Sequence, residues 1–173
     1  SALNSSMRVP NFAFNYLYFD LRNFLEYPFT SGWDSAMGRD FFWNYALKSS
    51  MFGEWSMLPT TNGRFWATMM SVFLLGLIVY AIRGFWKTRL NLVHWLLLLQ
   101  GIAFIASLMA LRIKYPFACS NDFRYILPIL LSFAPFVAMG VTLKESSTSW
   151  KVCGYITVAA FVVSSAVLYI MVM

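Results

Sequence analysis

The chain has 173 residues, 60% of them hydrophobic and 12% charged, with a mean hydropathy of +0.62. Soluble domains carry about a quarter charged residues, so these figures exclude an ordinary water-soluble domain. The net charge of +6 is spread over the flanks of apolar runs without a concentrated basic tract, which argues against nucleic acid as a partner.

In chain order, residues 1–64 come first and form a segment of their own. It holds Asp20, Glu26, Asp34, Asp40 and Glu54 against Arg8, Arg22, Arg39, Lys48 and Arg64, so it is neutral while crowded with Phe, Tyr and Trp. It is too polar to cross a membrane and too aromatic for a disordered tail. Helices are expected over about 13–26 (AFNYLYFDLRNFLE) and 39–52 (RDFFWNYALKSSMF), separated by the turn signals of YPFTSGWDSAMG, with LPTTNGR forming a second turn ahead of the first long apolar run. Trp33, Trp43 and Trp55 suit helices lying flat at a lipid interface. Asp40 is expected to open the second of these helices, where an acid favours the N-terminus. Asn4-Ser5-Ser6 fits a glycosylation acceptor.

Residues 65–173 carry four runs long enough to cross a bilayer, about 65–82, 90–111, 124–143 and 152–173, none with a charged residue in its middle. None is a signal peptide, because the first begins more than sixty residues in. The expected fold is therefore all-α, a polytopic membrane protein with four transmembrane helices preceded by an outer-facing segment of interfacial helices. Cys119 and Cys153 fall at opposite membrane edges in this topology, so no disulfide is expected between them. Two thiols without clustered histidines make no metal site. His94 lies inside the second run, either as a functional intramembrane group or as a polar residue packed near a helix start. The chain starts Ser-Ala and stops within an apolar run at Met173, so both ends are expected to be cut.

Orientation follows from the short loops. RGFWKTR (83–89) holds three bases and no acid, and KESSTSWK (144–151) adds two more bases on the same side, which should be cytoplasmic. Residues 1–64 and the loop 112–123 then face the exterior, periplasm or ER lumen. Against that bias, Arg112, Lys114 and Arg124 stand on the outer side around YPFACSND. They read either as snorkelling anchors or as donors to an anion, since Arg grips phosphate with paired hydrogen bonds. Tyr125 is placed to support Arg124, and Asp122, two residues away, to orient its guanidinium. Pro128 falls in the first turn of the third span, where its missing N–H costs little. Pro135 should bend that span and open a groove beside it.

NDFRYILPIL resembles the Arg-Tyr-apolar-apolar-Pro element at an outer-facing helix start in GT-C glycosyltransferases, and GRDFFWNYALKSSMFGEWS (38–56) resembles outer-loop sequence of bacterial members. That group uses sugars linked to polyprenyl or dolichyl phosphate and includes protein O-mannosyltransferases and lipid A aminoarabinose transferases. The resemblance implies a substrate-binding set in which Arg124, Arg112 and Lys114 bind the carrier phosphate while Tyr125 and Asp122 support and orient Arg124. It also makes Asp34, Arg39, Asp40, Lys48 and Glu54 candidates for the acceptor or sugar site, and the acids Asp20, Asp34, Asp40 and Glu54 candidates to order the substrate or a divalent metal, each acid alone reading equally as a helix cap or ion-pair partner. The family's catalytic carboxylate lies in a first outer loop that has no counterpart here. The resemblance therefore implies a C-terminal part whose base belongs to a missing N-terminal half. Its partners would be the lipid bilayer and the polyprenyl-phosphate sugar, in a bacterial plasma membrane or the ER membrane. The competing expectation is a non-catalytic four-span subunit that binds lipid or assembles a larger complex. A small transporter is a weaker third reading, because the spans have no central charge.

Overall fold

A computed structural model describes residues 8–31, 34–53, 61–144 and 146–172; Trp33, Glu54, Trp55 and the Asn4-Ser5-Ser6 motif lie outside them. Every named element is helical, and the described residues contain no strand beyond an isolated bridge between Arg8 and Phe117. The first expected helix is two short ones, α1 (Ala13–Leu17) and α2 (Leu21–Glu26). The break lies before Asp20, whose carboxylate accepts the Asn23 N–H at 2.9 Å and caps α2. The Asn44 amide clamps the Asp20 backbone from both sides, at 2.9 and 2.8 Å. A tertiary contact thus fixes a turn that the local apolar pattern does not mark.

The second expected helix, α3, runs Phe42–Phe52 with Phe41 at its N-cap and no side-chain cap bond. Asp40 does not open it; that expectation is corrected. The acid lies in the turn ahead, drawn toward Arg39 at 3.7 Å. Gly53, at φ +69, ends the helix in a conformation that side chains rarely adopt.

Among the described residues, three helices are long and apolar enough to cross a membrane: α4 (Thr61–Lys87), α5 (Leu92–Lys114) and α7 (Thr148–Val172). The run 124–143 is not one straight helix. Short 3₁₀ turns over Ala118–Asn121 and Phe123–Ile126 lead into α6 (Ile129–Thr142), with a 64° bend between the two parts. The break is at Leu127–Pro128, not at Pro135, which sits inside α6. Fourteen helical residues span only about 21 Å against a hydrocarbon core of about 30 Å, so α6 by itself is too short to cross. The long helices expose Leu92, Trp95, Leu99, Ile102, Tyr155, Ile156, Val162 and Ile170, an apolar surface suited to lipid rather than water. This is an integral membrane protein.

α4 is the axis, packing most extensively on α6 and then α7, while α5 touches α6. The α4–α6 contact is backbone on backbone. A Cβ added at Gly84 would fall 2.0 Å from the Phe136 carbonyl oxygen, and one at Gly140 would fall 1.8 Å from that of Tyr80. Residues 8–53 cover one end of this bundle. Phe24, Phe29, Met51 and Phe52 share a core with Ala67 and Met70 of α4 and Leu168 of α7. Phe42 and Ala46 do so with Leu108 and Ile126. Val9 N–H donates to the Pro116 carbonyl at 2.9 Å. His94 resolves as a cap: its backbone N–H reaches the Asn91 side chain, and its Nδ1 accepts the Asn91 N–H at 3.2 Å. Both cysteines are free thiols.

Candidate functional site

The stretch 118–126 is pinned to α3 before it reaches the bundle. Asn121, fully buried, donates to the Phe42 carbonyl at 2.7 Å, and Phe123 N–H donates to Ser49 Oγ at 2.9 Å. Asp122 is also buried, at 2% exposure. Its Oδ1 accepts the Arg124 N–H at 2.9 Å and its Oδ2 lies 3.3 Å from Arg124 Nε. One carboxylate therefore caps the Phe123–Ile126 turn and aims the guanidinium. Arg124 keeps 59% of its side chain exposed, with the guanidinium carbon 5.6 Å from the Tyr125 ring centroid. A charge that is oriented yet still accessible is what recognition of an anion requires.

The other expected phosphate ligands are placed differently. Lys114 is exposed beside the Tyr115 ring. Arg112 is fully buried: Nη1 and Nη2 donate to the carbonyls of Arg39 and Asp40 at 3.4 and 2.5 Å, and the group faces the Tyr16 ring. That guanidinium ties the turn before α3 to the end of α5. Of the three bases that sequence position had grouped, the structure buries Arg112 and leaves Lys114 and Arg124 exposed.

The second set is largely committed to local structure. Asp34 is exposed and accepts the Ala36 N–H at 2.8 Å, capping a 3₁₀ turn. Arg39 Nε donates to Ser35 Oγ at 3.1 Å. Lys48 has no exposure and donates from Nζ to Asn23 Oδ1 and the Met37 carbonyl, each at 2.8 Å, and to the Asn23 carbonyl at 3.3 Å. Burial without an adjoining carboxylate pushes its pKa from 10.5 down to about 7, against a smaller opposing pull from Asp20. Gly38 makes this cluster fit. It adopts φ +78, and a Cβ there would stand 2.3 Å from Asn23 Oδ1. Glu54 is outside the described residues, and among those described no three His, Cys, Asp or Glu converge for a metal ion.

Sequence reasoning expected a groove beside the third span at Pro135; a concavity does lie along that span, but Pro135 is not part of its wall. A cavity of about 400 Å³ lies between α3, α4, α5, the 123–126 turn and α6, with Trp43, Leu74, Leu98, Phe123, Ile126 and Ser132 on its wall. Its lining is almost wholly apolar, and its volume falls within the roughly 300–1,000 Å³ usual for ligand sites. Two wall residues, Phe123 and Ile126, flank Arg124 and Tyr125 in the same turn. An oriented guanidinium thus shares a turn with two wall residues of an apolar chamber without lining it itself; the one suits an anionic head and the other a hydrocarbon tail. No family model, curated protein or solved structure matches the chain.

Proposed function

We propose that the chain is the C-terminal membrane portion of a glycosyltransferase that moves a sugar from a polyprenyl-phosphate carrier to an acceptor on the outer or lumenal face. The supporting observation is the Asp122-aimed Arg124 in the same turn as two residues of the apolar cavity wall, Phe123 and Ile126. In this reading the protein crosses a bacterial plasma membrane or the ER membrane four times, the bent 118–142 stretch counting as one span. Residues 8–53 face outward, over the site. The carrier's hydrocarbon enters the cavity and its phosphate meets Arg124, with Tyr125 and Lys114 on the rim. When the bond from the anomeric carbon to the phosphate oxygen breaks, negative charge grows on that oxygen. A fixed guanidinium stabilises it more than it stabilises the bound donor, which lowers the barrier. The base taking the acceptor proton belongs, in this reading, to a part of a longer chain that precedes Ser1.

In the complete protein, Arg124→Ala should lower sugar transfer from the lipid donor roughly a hundredfold, the scale for removing one transition-state donor. Membrane insertion should hold, while thermal stability should fall, because the buried Asp122 carboxylate loses its cation; comparing turnover per folded protein separates the two effects. Unchanged turnover removes Arg124 from the site. Leu98→Trp, which narrows the cavity wall, should raise the KM for long-chain donors about tenfold and spare donors with a truncated chain; equal effects on both would take the tail out of the cavity. The same cavity also supports a second reading, a non-catalytic lipid-binding subunit. That reading predicts carrier binding that Leu98→Trp weakens, with no transfer in any assembly containing the chain.

A further inference from the structure

At the bundle end remote from residues 8–53, glycines draw three helices together. Gly84 of α4 meets the backbone of Phe136 and Gly140 in α6, and Gly154 of α7 meets Val141 and Tyr80. Tyr80 Oη donates to the Trp150 carbonyl at 3.0 Å, and the Arg83 guanidinium carbon lies 4.8 Å from the Trp150 ring centroid. Thr88 comes one turn after Gly84, at the end of α4 that meets α6. Ser146 lies in the connection from α6 to α7, where its N–H donates to the Leu143 carbonyl at 3.2 Å and the next residue's carbonyl accepts from Trp150. Trp150 thus relates Arg83 to the connection that holds Ser146, and Thr88 lies one turn beyond the Gly84 contact, at the same end of the bundle.

Arg83 Nη1, Thr88 Oγ1 and Ser146 Oγ are each buried without a hydrogen-bond partner. Unpaired buried groups cost roughly 1–3 kcal/mol apiece, so several at one bundle end call for an explanation. All of them can donate, and their common complement is an oxygen-rich anion. The surrounding charge agrees: residues 83–91 and 143–151 contain Arg83, Lys87, Arg89, Lys144 and Lys151 against Glu145 alone. The candidate span in α4 ends at Lys87, which places the group at headgroup depth.

We propose that Arg83, Thr88 and Ser146 form a binding site for one phosphate group, supplied by a phospholipid headgroup at this end of the bundle. Trp150 covers one face of the Arg83 guanidinium and leaves its edge to grip the phosphate, while the two hydroxyls donate to the remaining oxygens. The site is separate from the Arg124 cavity and does not depend on the glycosyltransferase reading.

The full chain, purified in detergent, is titrated with phosphatidylglycerol, with diacylglycerol of the same acyl chains, and with inorganic phosphate at constant ionic strength. Bound lipid is counted by native mass spectrometry and stability followed by thermal melting. Phosphatidylglycerol should bind and raise the melting midpoint, and diacylglycerol should not. Arg83→Gln should weaken binding roughly tenfold and Thr88→Val or Ser146→Ala about fivefold. Lys87→Gln, which removes an exposed charge of the same end, should change it less than twofold. Should Arg83→Gln misfold, the near-isosteric Thr88→Val still decides. Equal binding by wild type and Thr88→Val, or equal losses for Lys87→Gln and Arg83→Gln, overturns the site in favour of diffuse charge. Stabilisation by inorganic phosphate alone overturns the headgroup assignment.

Discussion

Gly140→Leu should abolish a monodisperse folded protein, and Gly140→Ala should lower its stability by about 3 kcal/mol or more, the upper end of overpacking penalties. Any Cβ at Gly140 would lie 1.8 Å from the Tyr80 carbonyl oxygen and 2.7 Å from its carbon. That neighbour is helix backbone, so no rotamer change relieves the overlap; α4 and α6 must move apart. Gly84→Ala meets the reciprocal obstacle, 2.0 Å from the Phe136 oxygen and 2.7 Å from Gly140 N. Separation would loosen the principal packing of the bundle and widen the cavity that both helices line. Gly101→Ala is the control, because its added carbon meets nothing closer than Ser132 Cβ at an ordinary 3.4 Å; it should cost under about 1 kcal/mol. Thermal melts and size-exclusion profiles of the three alanine variants check this. A Gly140→Ala protein that melts with wild type would mean that α4 and α6 are not in backbone contact.

Apolar length and loop charge made the membrane class legible, because a bilayer-crossing helix needs little beyond a long uncharged run. Asp122 as the partner of Arg124 was legible too, being a contact over two residues of chain. Arg112 was not. Nothing local shows that its guanidinium turns inward to the Arg39 and Asp40 carbonyls, some seventy residues away in sequence, so its charge read as a surface charge like that of Lys114. The break in the third span escaped for a related reason. Hydropathy sees an apolar run through Pro128, while the pins from Asn121 to Phe42 and from Phe123 to Ser49 hold the preceding turn in another direction. The break between α1 and α2 was missed, although Asp20 could be read as a cap, because it sits among aromatics inside an apparently continuous helical pattern and only Asn44 reveals the turn. Beyond the groove expected from Pro135 the cavity left no sequence signal: its wall is made of the same residues as any apolar core, and only their three-dimensional mismatch leaves a space.

Lys48→Met should destabilise the protein by about 3 kcal/mol and remove a pH dependence that wild type shows. The side chain is enclosed, and its ammonium satisfies Asn23 Oδ1, the Asn23 carbonyl and the Met37 carbonyl. Methionine fills much the same volume but donates nothing, leaving those acceptors dry at roughly 1–3 kcal/mol each, partly recovered by rearrangement. The loss should free the 34–40 turn from α2 and α3, and with it the Arg39 and Asp40 carbonyls that hold Arg112. The pH effect has a definite sign. Unfolded, Lys48 keeps the ordinary pKa of 10.5; folded, burial lowers it to about 7. Between those values the unfolded chain binds a proton that the folded chain does not, so wild-type stability should rise as pH increases from about 7 toward 10.5 and be flat for this group below 7. A neutral amine has only two N–H donors, and the bond to give up is the 3.3 Å one to the Asn23 carbonyl, since both others measure 2.8 Å. Chemical denaturation at several pH values, wild type against Lys48→Met, measures the difference directly. A difference that stays constant from pH 6 to 10 would show that Lys48 remains charged in the fold, with its three acceptors outweighing its burial.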